Sequence, residues 1–102
     1  MMYTQWLLCK VAEEAAEVGQ RAMKAQQFGV EEVQEGQGKD NLERLRLKVN
    51  DLILTYDILL DYLGHNIEEF GPTKEELVIR YEKVHEFLQL SKSLNMVTGD
   101  FE

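Results

Sequence analysis

Two long stretches with apolar residues at helical spacing constrain the fold of this chain more than any other feature. In each, apolar residues recur at i, i+4, i+7 and i+11, the pattern of a helix with one buried face. The stripe of the first stretch consists of Val11, Ala15, Val18 and Ala22, and that of the second consists of Leu45, Val49, Leu52 and Tyr56. We expect the two stripes to pack against each other.

Capping residues predict where the helices begin and end. The first helix runs from about Thr4, its expected N-cap, to Phe28, and Gly29 ends it. The polar segment that follows contains Gly36 and Gly38 and is predicted to be a loop.

The second helix starts near Asp40 or Asn41, either of which can cap it, and runs to residue 63, where Gly64 stops it. A third helix follows the capping box that Thr73 forms with Glu76. We therefore predict an all-α fold, an antiparallel helical bundle of two long helices plus a shorter third, in a single domain over residues 1–102. The second helix has a further apolar face, which we expect to meet another subunit so that oligomerisation completes the bundle. That face carries Leu47, Leu54 and Ile58.

The composition excludes several kinds of partner. The 102 residues have a formal net charge of −8, which argues against duplex nucleic acid and anionic membranes as partners. A charged ligand could still bind through a divalent cation held by carboxylates. Cys9 is the single cysteine, so no intrachain disulfide can form, and a reducing, cytoplasmic setting fits best.

Four charged side chains are predicted to converge where the two stripes meet. Glu14 and Glu17 lie one turn apart on one flank of the first stripe, and Lys48 and Asp51 have the same angular offset from the second. Three carboxylates on facing helices are a donor set that suits a hard cation such as Mg²⁺. The spacing Glu-Glu-x-x-Glu is also common on solvated helix faces, so a charged surface stripe is the alternative interpretation.

Three segments carry a resemblance to a known family. They are Glu13-Glu14-x-x-Glu17, Lys24-x-x-x-Phe28-Gly29, and Asn41 leading into Leu47-Lys48-Val49-Asn50-Asp51-Leu52. Over residues 5–64 the chain resembles the MazG-like all-α nucleoside triphosphate pyrophosphohydrolases, most of all the short, single-domain members carried by phages and bacteria. That family's pattern is Glu-Glu-x-x-Glu, a gap, and Glu-x-x-Asp. Here 30 residues separate Glu17 from Lys48, a gap at or just past the long end of the family's range.

The resemblance implies an enzyme of nucleotide metabolism that assembles as a homodimer or homotetramer. Such an enzyme hydrolyses (d)NTPs to (d)NMP and pyrophosphate with Mg²⁺, Mn²⁺ being the alternative ion. Glu14 and Glu17 match the two metal ligands of the first motif, and Asp51 matches the aspartate of the second. Glu13 matches the leading glutamate, which would orient or activate the attacking water. The implied partner is a nucleoside triphosphate.

Lys48 departs from the family pattern, because it stands where the second motif has a ligating glutamate. A protonated ammonium cannot coordinate a metal and repels the cation that should lie beside it. Two accounts are open. In the first, Lys48 pairs with the carboxylates and leaves a weak or inactive site. In the second, the Lys48 side chain turns toward the triphosphate while three carboxylates hold one Mg²⁺. The first account is favoured, because losing a carboxylate and gaining a cation both weaken metal binding.

Other cationic and aromatic residues near the first motif are candidates for substrate binding. Lys10 and Arg21 share the flank of the two ligand glutamates and could hold the outer phosphates, with ion pairs to those glutamates as the alternative. Lys24 and Phe28 lie one to two turns past the motif and could contact the substrate. Trp6 could stack on the base or belong to the core. Two other functions stay open, a non-catalytic nucleotide binder and a purely structural helical oligomer.

Overall fold

Residues 1–98 of the chain, described by a computed structural model, form four helices and no strand. The helices are α1 (Tyr3–Phe28), α2 (Asn41–Tyr62), α3 (Ile67–Phe70) and α4 (Lys74–Ser93). The all-α prediction is confirmed, and α4 is the predicted third helix. The four-residue α3, in the connector before α4, was not predicted. Within residues 1–98, no helix combines the length and the apolar character that crossing a membrane requires.

The internal contacts of the chain divide it into two units. The first is Met1–Phe70 and contains α1, α2 and α3, and the second begins at Gly71 and contains α4. The candidate site lies wholly in the first unit. The extent of a single domain over residues 1–102 stays a prediction.

Most of the residues predicted to cap or stop the helices are found at their ends. Gly29 and Gly64 have φ angles of +98° and +83°, a region in which a side chain would strain the backbone. The Asp40 side chain accepts a hydrogen bond from the backbone N–H of Glu43 at 2.8 Å, as an N-cap should. Thr73 and Glu76 form the reciprocal bonds of the capping box.

Two predicted helix ends were wrong, by two residues for the N-cap of α1 and by one residue for the end of α2. α1 begins at Tyr3 and its N-cap is Met2, not Thr4. The side chain of Gln5 accepts a hydrogen bond from the backbone N–H of Met2 at 2.9 Å, so the backbone donor of this N-cap residue is satisfied. α2 ends at Tyr62, so residue 63 is its C-cap and not its last helical residue.

α1 and α2 run antiparallel. Tyr3, at the start of α1, packs edge-on against Tyr62, at the end of α2, with ring centroids 4.6 Å apart. Further along α1, Glu17 pairs with Lys48 and Arg21 with Asn41, the first residue of α2. The partners therefore occur in reverse order along α2, as they must in an antiparallel pair.

The seam between α1 and α2 differs from the predicted apolar stripe. Glu14 and Arg21 of α1 are half-buried, whereas Ala15 and Ala22 are exposed. Arg21 approaches the seam because its long stem covers apolar surface while its guanidinium donates a hydrogen bond to Asn41 of α2. Glu14 lies at the seam with a buried Oε2 atom that has no hydrogen-bond partner among residues 1–98. An alanine methyl group loses little by staying in water. The buried apolar residues of the unit are Leu7, Ala25, Leu59 and Leu60.

Candidate functional site

The ammonium group of Lys48 lies between carboxylates of both helices. Its Nζ donates a hydrogen bond to Glu17 Oε2 of α1 at 2.8 Å, and it is 3.6 Å from Asp51 Oδ2, one turn further along α2. The antiparallel pairing of the helices brings residues so distant in sequence to one point. Hydrogen bonding to Lys48, and then its charge, lowers the pKa of Glu17, and the same hydrogen bond raises the pKa of Lys48.

Glu14 lies beside this ion pair and has a different environment. Its Oε2 atom is buried and has no hydrogen-bond partner among residues 1–98. Burial, followed by the negative charge of Glu17, raises the pKa of Glu14, and the positive charge of Lys48 opposes the increase. Glu14 is thus the carboxylate of the group that is least satisfied by the residues around it.

A divalent cation does not fit among these side chains as they are arranged. The Lys48 ammonium occupies the position between Glu17 and Asp51. A metal ion shared by the two helices would lie at this position. Among residues 1–98, no group of three or more carboxylate, histidine or cysteine side chains is arranged to hold a metal ion. The predicted ligands Glu14, Glu17 and Asp51 could hold Mg²⁺ only if Lys48 moved away, since an ammonium has no lone pair to donate.

A cationic cleft of about 470 Å³ opens next to the ion pair. Four cationic side chains line it, together with one carboxylate, that of Asp51. The cations come from α1, from the loop over residues 29–40 and from α2, and they are Arg21, Lys39, Arg44 and Lys48. The lining also includes Gln37 and Gly38 of the predicted Gly-x-Gly loop. A concentration of positive charge in a chain with a net charge of −8 favours an anionic ligand.

Asn41 anchors the loop that contributes to this cleft. It is only 2% exposed, and its side-chain amide donates to the carbonyl oxygen of Gly29 at 2.8 Å and to Glu32 Oε1 at 3.1 Å. Its Oδ1 accepts a hydrogen bond from Arg21 Nη2 at 3.0 Å. The buried amide thus joins α1, the loop and α2, and it fixes the position of one guanidinium.

A second cleft, of about 460 Å³, shares Arg21 with the first. Lys24 and Phe28 of α1 line it, with the Lys24 ammonium 5.6 Å from the centre of the Phe28 ring. These two candidates for substrate contact therefore lie near Arg21, but outside the cationic cleft.

Two predicted substrate-binding residues lie away from both clefts. Trp6 and Lys10 are on the N-terminal side of Glu17 along α1, whereas Arg21 and the clefts are on its C-terminal side. An α-helix separates Trp6 from Glu17 by about 16 Å. Lys10 pairs with Glu13 at 3.0 Å, and not with Glu14 or Glu17, the partners that the ion-pair alternative named. Its ammonium lies 5.3 Å from the centre of the Trp6 ring. The structure does not bring Trp6, Lys10 or Glu13 to the cleft.

Several residues that line the clefts were not predicted as site residues, among them Asn41, Lys39 and Arg44. Asn41 was named as a cap and as part of a segment that resembles the family, and Lys39 and Arg44 were not singled out. Arg44 carried a usable signal, because it lies four residues before Lys48 and so shares its face of α2. Lys39 carried none, because the loop has no periodicity that would orient its side chains.

No protein-family model matches the chain, and no curated protein or solved structure matches it significantly. The family resemblance therefore stays a prediction that depends on the two acidic motifs.

Proposed function

We propose that the chain binds nucleoside triphosphates in the cationic cleft and hydrolyses them slowly to nucleoside monophosphate and pyrophosphate, as a MazG-like pyrophosphohydrolase with an impaired site. One observation carries this proposal. Carboxylates from two helices, Glu17 and Asp51, lie within 4 Å of a single ammonium at the border of a cleft that is otherwise lined by cations. A charged stripe that only faced solvent would need no loop cation beside it, whereas Lys39, from the loop over residues 29–40, lines this cleft.

The impairment follows from the chemistry of Lys48. Its ammonium satisfies Glu17 and Asp51 and repels a divalent cation, so the Mg²⁺ that the family resemblance implies must compete with it. A glutamate at position 48 would remove this competition and supply another oxygen donor.

A second candidate, a nucleotide binder without hydrolytic activity, is favoured by the same ion pair. If Lys48 stays between Glu17 and Asp51 in the presence of ligand, the cleft still offers positive charge to phosphates but the carboxylates stay occupied. Such a protein would sequester or sense a nucleotide.

A pyrophosphate-release assay tests the first candidate. We expect slow release from at least one member of a panel of dNTPs with Mg²⁺ or Mn²⁺, and an increase of about tenfold or more for Lys48→Glu, similar to other changes next to metal ligands. Lys74→Glu, at the start of α4, makes the same charge change in the second unit and should leave the rate unchanged. An unchanged or lower rate for Lys48→Glu would count against the impaired site.

Thermal melting distinguishes a non-catalytic nucleotide binder from a purely structural helical oligomer. A ligand that binds the native state raises the melting temperature. A dNTP that raises it without pyrophosphate release in any variant identifies a binder, and a dNTP that does neither leaves only a structural role.

We further propose a homodimer or homotetramer in the cytoplasm. The outer face of α2 exposes apolar side chains that a second copy would cover. They are Leu47, Leu54 and Ile58, of which Leu47 also lines the cationic cleft. The nucleotide substrate and the single, reduced cysteine fit the cytoplasmic compartment.

A further inference from the structure

We infer that the cationic cleft binds the diphosphate or triphosphate group of its ligand without a divalent cation. The inference rests on the proposed function, because it concerns the same cleft, but it changes how the ligand is held. The family resemblance implies phosphates bridged to carboxylates by a metal ion. Here the arrangement of the side chains favours direct contact between phosphate oxygens and protein cations.

The charge lining the cleft is positive even without a metal ion. Its single carboxylate, Asp51, already has the Lys48 ammonium at 3.6 Å. Arg21, Lys39 and Arg44 therefore face the cleft with no lining carboxylate left for them. A ligand with two or more phosphate charges would meet an excess of positive charge.

Both guanidinium groups are held in place by neutral acceptors. Arg44 Nη1 donates to Gln34 Oε1 at 3.0 Å, and Arg21 Nη2 donates to the buried Asn41 Oδ1 at 3.0 Å. Within residues 1–98, neither has a carboxylate within 4 Å. Amide oxygens fix the orientation of a guanidinium without neutralising it, so both groups keep their full charge for an anion.

Arg21 also has an unsatisfied donor. Its Nε atom is buried and has no hydrogen-bond partner among residues 1–98. A buried donor without an acceptor is unfavourable, and a negative charge bound in the cleft beside this guanidinium would offset part of that cost.

Arg46 of α2 lies outside the cleft, and its charge is compensated, unlike the charges of Arg21 and Arg44. It donates from Nε and Nη2 to the two carboxylate oxygens of Glu43, so its charge is already compensated. Arg44 and Arg46 lie on the same helix, two positions apart, and only Arg44 lines the cleft.

Lys48 removes the usual need for a metal ion at the border of the cleft. Carboxylates beside a phosphate site repel the ligand unless a cation lies between them. The Lys48 ammonium lies between Glu17 and Asp51 and supplies that positive charge from within the chain. A divalent cation is then not required for phosphates to approach.

Isothermal titration calorimetry of the full chain with inorganic pyrophosphate, in excess EDTA, tests the inference. We expect saturable binding that weakens as salt is added, because the attraction is electrostatic. Arg44→Gln should weaken binding at least about tenfold, the usual effect of losing a charge-assisted hydrogen bond. Arg46→Gln removes the same charge from the same helix and should bind within about twofold of the wild type. Lys39→Gln is a second cleft variant, in a loop, which should also weaken binding.

Several results would overturn the inference. They are binding that appears only when Mg²⁺ replaces EDTA, equal weakening by Arg44→Gln and Arg46→Gln, and a Lys39→Gln variant as tight as the wild type. Circular dichroism melts establish that each variant is folded. Parallel titrations with tripolyphosphate and a dNTP show whether the phosphate group that the cleft binds belongs to a nucleotide. A nucleotide ligand should bind more tightly than either inorganic anion.

The inference and the proposed function fail in different experiments. In one outcome, pyrophosphate binds in EDTA but no variant, Lys48→Glu included, releases pyrophosphate from any dNTP. This outcome contradicts the proposed hydrolysis and supports the inferred binding of phosphates without a metal ion. In the opposite outcome, pyrophosphate is released from a dNTP only with Mg²⁺, and inorganic pyrophosphate does not bind in EDTA. This outcome contradicts the inference and supports the proposed hydrolysis.

Discussion

Glu13 and Glu14 are neighbours in the sequence with opposite environments. Glu13 is exposed and accepts a hydrogen bond from Lys10 at 3.0 Å, whereas Glu14 has one buried oxygen with no partner among residues 1–98. Burial, and then the charge of Glu17, raises the pKa of Glu14 above its ordinary value of 4.5. The ionised form of Glu14 is therefore unfavourable in the folded chain.

Glu14→Gln should raise the melting temperature at about pH 7 and have a smaller effect at about pH 4. An acid whose pKa is higher in the folded than in the unfolded state binds more protons when folded. Its contribution to stability is therefore present at low pH and is lost as the pH rises through the folded-state pKa, and glutamine removes that loss. Circular dichroism melts across this range measure the effect. Glu13→Gln is the control and should give no gain, and a gain from Glu14→Gln that persists at low pH would contradict the account.

The elements of the first unit are joined by one buried amide. Asn41, the first residue of α2, is hydrogen-bonded to α1 through Arg21. It is hydrogen-bonded to the loop through Gly29 and Glu32. Because it is almost fully buried, its removal would leave polar groups of three segments without partners that water could not easily replace.

Asn41→Ala should lower the free energy of unfolding by about 2–3 kcal/mol, because it removes three hydrogen bonds and leaves buried groups unsatisfied. Urea denaturation followed by circular dichroism measures the loss. Asn50→Ala, at an exposed position of the same helix, should change stability by less than about 0.5 kcal/mol. Equal losses in the two variants would mean that Asn41 does not anchor the loop.

The sequence predicted the elements better than their contacts. Helix ends depend on residues within one turn, so Gly29, Asp40 and Thr73 were sufficient to locate three of them. The seam was harder to predict, because an apolar pattern does not recognise charged residues such as Arg21, which enters the seam by donating a hydrogen bond to Asn41 of α2. Lys39 reaches the cleft from the loop over residues 29–40, whose path no periodic pattern specifies.

At the scale of the whole molecule, the described helices leave much apolar surface uncovered. The outer face of α2 is exposed, with Leu54 57% accessible, and no residue of α4 is buried. A helix of this length gains most of its stability from packing an apolar face. The proposed association with a second copy of the chain would cover part of this surface.

Leu54→Glu should raise the dissociation constant of the oligomer at least about tenfold, because it places a charge in an apolar interface. Sedimentation velocity over a concentration series measures it. Leu42→Glu is a matched control, since Leu42 is 55% exposed on a different face of α2. A wild-type monomer at every concentration, or equal dissociation by both variants, would contradict assembly through this face.

The most direct test of the central claim is the rate of pyrophosphate release from dNTPs with Mg²⁺ by three proteins: the wild type, Lys48→Glu, and Lys48→Glu combined with Asp51→Asn. If the ammonium of Lys48 limits a hydrolytic site built on Glu14, Glu17 and Asp51, the single variant should be faster than the wild type by about tenfold or more, and the second substitution should abolish the gain. A single variant no faster than the wild type, or a double variant that keeps the full gain, would contradict the claim.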